Sequence, residues 1–168
     1  GCVGSAMETC PELNGSGGTL SGNTNGNEYT FQVAQTGNLQ VNSFEIYTNS
    51  TGGLLTRPAH IYAASGNGPA LTPLASTTIT VGSTPGFYTA TFASPVAVSG
   101  TFYVGYENAT SGVISNLTNG DTGPGHYRGS GGGNWSLSGL VQRPSWRVNC
   151  TGVGNLTPAI GNLGLPIL

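Results

Sequence analysis

Apolar and polar side chains alternate along most of this chain, in short runs broken by Gly, Pro, Asn and Ser. Alternation with a period of two marks a strand with one face buried. Residues 27–34, NEYTFQVA, set Tyr29, Phe31 and Val33 on one face. Residues 39–48 start with Leu39 and Val41 in phase and continue with Phe44 and Ile46 one step out of it, which predicts a β-bulge. Residues 59–64 follow Pro58; because proline cannot donate to a ladder, that run is expected at a sheet edge. Residues 76–81 and 87–92 flank Ser83-Thr84-Pro85-Gly86, where Pro followed by Gly predicts a hairpin closed by a type II turn. With runs at 101–108, 112–118, 134–141 and 145–150, the expectation is about nine strands and no long helix. The predicted fold class is all-β, an antiparallel β-sandwich of jelly-roll type with long Gly-rich loops; an up-and-down barrel is the alternative.

Three segments follow from the pattern. Residues 1–26 read as an N-terminal loop or arm and residues 27–150 as the β-domain. Residues 151–168, TGVGNLTPAIGNLGLPIL, read as an extended tail, either a linker into a further domain or a segment that docks on a neighbour. Within the β-domain, residues 119–133 read as a Gly-rich loop interrupted by His126, Tyr127 and Arg128. The chain opens at Gly1 without a Met or a signal peptide, which reads as a processed or trimmed start.

Charge changes the picture most. The 168 residues hold four arginines, no lysine and six acids, for a net charge of −2. Ordinary soluble domains carry charge on about a quarter of their residues. Gly, Ser, Thr and Asn must therefore cover this surface, a composition that suits extracellular β-proteins better than cytosolic enzymes. Nucleic acid is a poor partner, since Arg57, Arg128, Arg143 and Arg147 are scattered rather than clustered. No run approaches the roughly 18 apolar residues of a membrane span. Cys2, Cys10 and Cys150 lack CxxC spacing and have only His60 and His126 to join them, so disulfides in an oxidising compartment fit better than zinc. The preferred pair is Cys10–Cys150, and the alternative is Cys2–Cys10.

The run PGFYTATFASPVAVSGTFYVGYEN at 85–108 resembles a recurring pattern of secreted bacterial jelly-roll-like β-sandwich modules. There, a strand ending in Thr-Phe is followed by a Pro-Val-x-Val step and a Gly-Thr-Phe/Tyr-Tyr-Val-Gly strand. The tail from Leu156-Thr157-Pro158 to Leu165-Pro166-Ile167-Leu168 looks like the opening of a small C-terminal module of some large secreted bacterial proteins. The resemblance implies an accessory, adhesive or structural role outside the cell, and it carries over no functional residue.

Candidate chemistry is sparse. Glu45 and Glu107 are the carboxylates that could form a hydrolytic pair, and solubility of edge strands explains each as well. A nucleophilic triad could be drawn from His60 or His126, Asp121 and one of many serines, but no G-x-S-x-G elbow is present. His60 reads better as a hydrogen-bonded structural residue. Asn119 and Asp121 offer oxygens to a structural calcium ion, with a plain Asn-Gly-Asp turn as the simpler reading. No other cofactor is expected. The densest mixture of aromatic and polar groups runs from Asp121 to Trp146. Asp121, His126, Tyr127, Arg128, Asn134 and Trp135 form a candidate glycan platform, with Tyr127 its exposed face. Trp146 and Trp135, each followed two residues later by Val148 or Leu137, equally fit core strands. Several Asn-x-Ser/Thr triplets, among them Asn49-Ser-Thr and Asn108-Ala-Thr, match glycosylation acceptors.

The function expected is that of a non-catalytic extracellular structural or adhesive subunit, secreted to the cell surface and partnered by copies of itself or by neighbouring surface proteins. The alternative is a carbohydrate-binding module of a larger secreted enzyme.

Overall fold

The structure is a computed structural model and describes residues 20–23, 26–108, 115–117, 125–137 and 146–152, with backbone alone at 20–23, 115–117 and 152. Its strands are β1 (Leu20–Asn23), β2 (Asn27–Val33), β3 (Asn38–Thr48), β4 (Leu55–Ser65), β5 (Gly68–Pro69), β6 (Ala75–Val81), β7 (Gly86–Ser99), β8 (Phe102–Asn108), β9 (Ser115–Leu117), β10 (Gly125–Gly129), β11 (Ser136–Leu137) and β12 (Trp146–Gly152). No helix occurs among the described residues. All ladders are antiparallel, as expected of this alternation. The main sheet is one continuous ten-stranded array, β11-β10-β2-β8-β4-β6-β7-β3-β12, with β5 hydrogen-bonded to β4; β1 and β9 pair separately. A single core cluster draws on strands from β2 to β12, with Phe44, Ile61, Val81, Phe102, Val104 and Trp146 among its fully enclosed members.

The predicted bulge in β3 is present. Against β12, Ser43 pairs Asn149 and Val41 pairs Cys150, so Asn42 is the extra residue. Against β7, the register passes from Val41–Val96 to Ser43–Thr91, which leaves Phe92–Pro95 without partners on β3. Pro95 sits in that irregularity, where no ladder donor is needed.

Several expectations are corrected. The run after Pro58 is not an edge strand: β4 lies inside the sheet, between β8 and β6. Proline is tolerated because the β8 ladder begins only at Ala59, so Pro58 faces a paired neighbour on one side alone. The β6–β7 hairpin forms, with Ile79 opposite Ala90, but Gly86 does not take the positive φ that a type II turn requires. Gly86 instead opens β7, opposite Thr48. Part of the N-terminal arm is a strand, β1, paired with β9. Within the stretch read as a Gly-rich loop, residues 125–129 form β10 against β2. The tail beyond Gly152 lies outside the described residues, as do Cys2 and Cys10; Cys150 is disulfide-bonded. No described helix is long and apolar enough to cross a membrane.

The hairpin from β4 to β5 was not anticipated. Ser65 pairs Gly68 around the two residues Gly66 and Asn67, and Gly66 has φ of 62°, the positive value a II′ turn takes at its first central position. This hairpin delivers residues 71–73 onto the polar face of the sheet.

Candidate functional site: a charged cleft on the polar face

Strand alternation assembles the site. Glu28, Glu107 and Arg128 are consecutive partners across β8, β2 and β10, so all three side chains leave the same face. His60 and Tyr62 project from β4 on that face, opposite Gly105 and Tyr103. The loop 71–73 and the loop 131–134 rise around them and enclose a cleft of about 430 Å³. Gly131, Gly132 and Gly133 have φ of 99°, 113° and 108°, a run of positive values that side-chain-bearing residues avoid.

Arg128 is the centre of this arrangement. Its Nε donates to Glu28 Oε1 at 2.8 Å, and one terminal nitrogen donates to the Tyr62 hydroxyl at 3.0 Å. The other terminal nitrogen donates to the carbonyls of Leu71 at 2.9 Å and Gly133 at 3.2 Å. One guanidinium thus ties the floor of the cleft to both loops. The Trp135 ring lies 4.1 Å from the guanidinium carbon, and its Nε1 donates to the Ala70 carbonyl at 2.9 Å. That contact fastens the second loop to the first.

The network is nearly dry. Glu28 is 2% exposed and Arg128 8%. Desolvation works against the Arg128 charge, but the hydrogen bond and charge of Glu28 outweigh it and raise its pKa. The Tyr62 hydroxyl donates to the other Glu28 oxygen. Burial, followed by that hydrogen bond and the Glu28 charge, pushes the Tyr62 phenol well above its ordinary value, although Arg128 opposes the shift.

Glu107 and His60 are the more accessible half. His60 Nε2 lies 3.3 Å from Glu107 Oε2 and 3.8 Å from Glu28 Oε2. The other Glu107 oxygen accepts from the backbone N–H of Gly131 at 3.0 Å. On its far side, His60 Nδ1 meets Ser76 Oγ at 2.8 Å. The arrangement can offer charged hydrogen-bond acceptors, an imidazole and a rim of backbone groups to a polar ligand.

The residues singled out from the sequence are divided. Arg128 and Asn134 belong to the cleft, and Trp135 packs on Arg128. His126 is buried on the same face of β10, edge-on to Tyr103 with ring centroids 5.5 Å apart, and its Nδ1 has no partner. Tyr127 points to the opposite face and stacks on Tyr29 at 6.4 Å; at 37% exposure it is accessible, but it shares no surface with Trp135. Asn119 and Asp121 lie outside the described residues, with the calcium expectation that rests on them. Among the described residues, no three His, Cys, Asp or Glu side chains are grouped to hold a metal ion. Trp146 is fully buried in the core and Val148 nearly so. Glu45 does not approach Glu107; it faces Arg147 at 3.9 Å. Glu28 and Tyr62 were missed. The usable signal was the alternation itself, which sets Glu28 out of phase with Tyr29 and Phe31 and therefore on the polar face.

No family model matches this chain, and neither a curated protein nor a solved structure matches it.

Proposed function

We propose that this chain is an extracellular adhesive module that works through its surface and takes a polyhydroxylated ligand, a carbohydrate, in the cleft between residues 71–73 and 131–134. One observation carries the reading. In a protein with four arginines and six acids, Arg128, Glu28 and Glu107 converge on a single cleft, joined there by one of its two histidines. Buried charges are costly to hold, and a composition that avoids charge elsewhere has a reason to keep them where they meet a ligand. Sugar hydroxyls both donate and accept, which suits the free lone pairs of Glu107, the Asn134 amide and the glycine backbone of the rim. The disulfide at Cys150 and the absence of lysine support an extracellular setting.

The test is retention on immobilised neutral oligosaccharides by the parent and by Glu107→Gln and Asn134→Ala, each checked for an unchanged unfolding transition. Retention by the parent with at least about tenfold weaker binding by the variants supports the site. Equal retention by all three rejects it.

A second reading is assembly between copies. Among the described strands, β12 ends the main sheet, and its one charged side chain, Arg147, is turned onto Phe87 at 3.5 Å and towards Glu45 rather than guarding the edge. Light scattering of the non-reduced protein decides it: large assemblies support this reading, and a monomer removes it.

A further inference from the structure

We propose that Ser76 is an activated serine that accepts the acyl group of an ester, with His60 as its general base and Glu107 as the group that positions His60. This goes beyond the binding reading and does not depend on it. Ser76 stands directly opposite His60 in the β4–β6 ladder, and its side chain is exposed. The chain Ser76 Oγ to His60 Nδ1 at 2.8 Å, and His60 Nε2 to Glu107 Oε2 at 3.3 Å, links a hydroxyl, an imidazole and a carboxylate in the order nucleophilic catalysis requires. The roles of the two ring nitrogens follow from their partners. A carboxylate can only accept, so Nε2 carries the proton towards Glu107 and Nδ1 is left as the lone pair facing Ser76. Glu28 Oε2, 3.8 Å from the same Nε2, adds a second negative group beside the imidazolium that forms when Ser76 gives up its proton. Tyr62, edge-on at 5.9 Å, and Arg128, held by Glu28, complete the polar surroundings.

The location of Ser76 selects the substrate class. His60 lines the polar cleft, whereas Ser76 lines the neighbouring groove of about 450 Å³, together with Leu74, Phe92, Pro95 and Val96. The groove exists because the β7 irregularity at Phe92–Pro95 carries that strand out of register with β3 beside the start of β6. An ester with a short apolar acyl chain in this groove presents its carbonyl carbon to Ser76 and its alcohol to the polar side. Ser76 Oγ bonds to that carbon as its proton passes to His60 Nδ1. The tetrahedral adduct then breaks its bond to the alcohol oxygen, which leaves with the proton from His60. Water, deprotonated by the same imidazole, attacks the acyl-serine, releases the carboxylic acid and restores the Ser76 hydroxyl.

The experiment incubates the whole non-reduced chain with p-nitrophenyl butyrate and follows nitrophenol release together with peptide mass mapping. One butyryl group per chain, on Ser76, is expected in the parent and none there in Ser76→Ala. His60→Gln slows acylation about a hundredfold, the loss of a general base. Glu107→Gln slows it while leaving the half-saturating ester concentration unchanged, which a collapse of the groove would not do. Nitrophenol release no faster in the parent than in Ser76→Ala, or a Ser76-dependent release equally fast in His60→Gln, overturns the proposal. Ser76→Ala retains oligosaccharide binding, so failure here and failure of the cleft as a sugar site are separate results.

Discussion

Arg128 Nε and Glu28 Oε1 are 2.8 Å apart between neighbouring strands, in a pair that water barely reaches. The partner of such a pair cannot be removed cheaply, because the remaining charge stays buried without compensation. Arg128→Met is therefore expected to lower stability by about 3 kcal/mol, read as a fall in the denaturant midpoint. The double variant Glu28→Gln/Arg128→Met should lose less than the sum of the two single changes, and an additive result would show that the pair acts as two independent side chains.

Acid should weaken the fold through His126. Burial lowers its pKa below the ordinary 6.5, with a hydrogen bond that the ring donates to the Asn67 backbone carbonyl opposing the shift. The unfolded chain then binds a proton more readily than the folded one in the window just below 6.5. Stability is full above that value and declines as pH falls through the folded pKa. His126→Phe removes the proton site and should flatten the acid limb of a plot of midpoint against pH; an unchanged limb would assign it to other groups.

Alkali should act through Tyr62. Its folded pKa is raised above 10, so the folded state keeps the phenol protonated after the unfolded state has begun to lose its proton. The contribution is complete below pH 10 and disappears as pH climbs through the folded value. In a titration of phenolate absorbance, the parent should hold back one tyrosine that Tyr62→Phe lacks.

Gly105 lies between Thr30 of β2 and His60 of β4, and a Cβ built on it would overlap the Tyr29 carbonyl oxygen. Backbone on both sides prevents adjustment. Gly105→Ala is expected to cost about 3 kcal/mol and to separate β8 from β2, with loss of the Glu28–Glu107 neighbourhood. A thermal midpoint close to that of the parent would contradict the packing described for these strands.

Much of the fold was legible because one physical rule governs it. Alternation identified β2, β3, β8 and β12, and the phase switch between Val41 and Phe44 located a bulge that the β12 register displays. The misreadings have local causes. Pro58 suggested an edge because the sequence does not reveal that the β8 ladder begins one residue later. The glycines around His126 concealed β10, a strand held by pairing with β2 rather than by its own propensity. The site was less legible still. Glu28, His60, Glu107 and Arg128 lie on four strands far apart in the chain, and only the strand order brings them together. Reading 121–135 as one surface failed at Tyr127, because neighbouring strand residues face opposite ways.

Arg128 grips the two loops through the carbonyls of Leu71 and Gly133, groups that every amino acid possesses. Side chains at 71–73 and at Asn134 can therefore change without loosening the frame. The cleft wall is in this sense interchangeable: related chains that keep the arginine and its carboxylate are free to diversify the lining, much as a vice accepts different jaws.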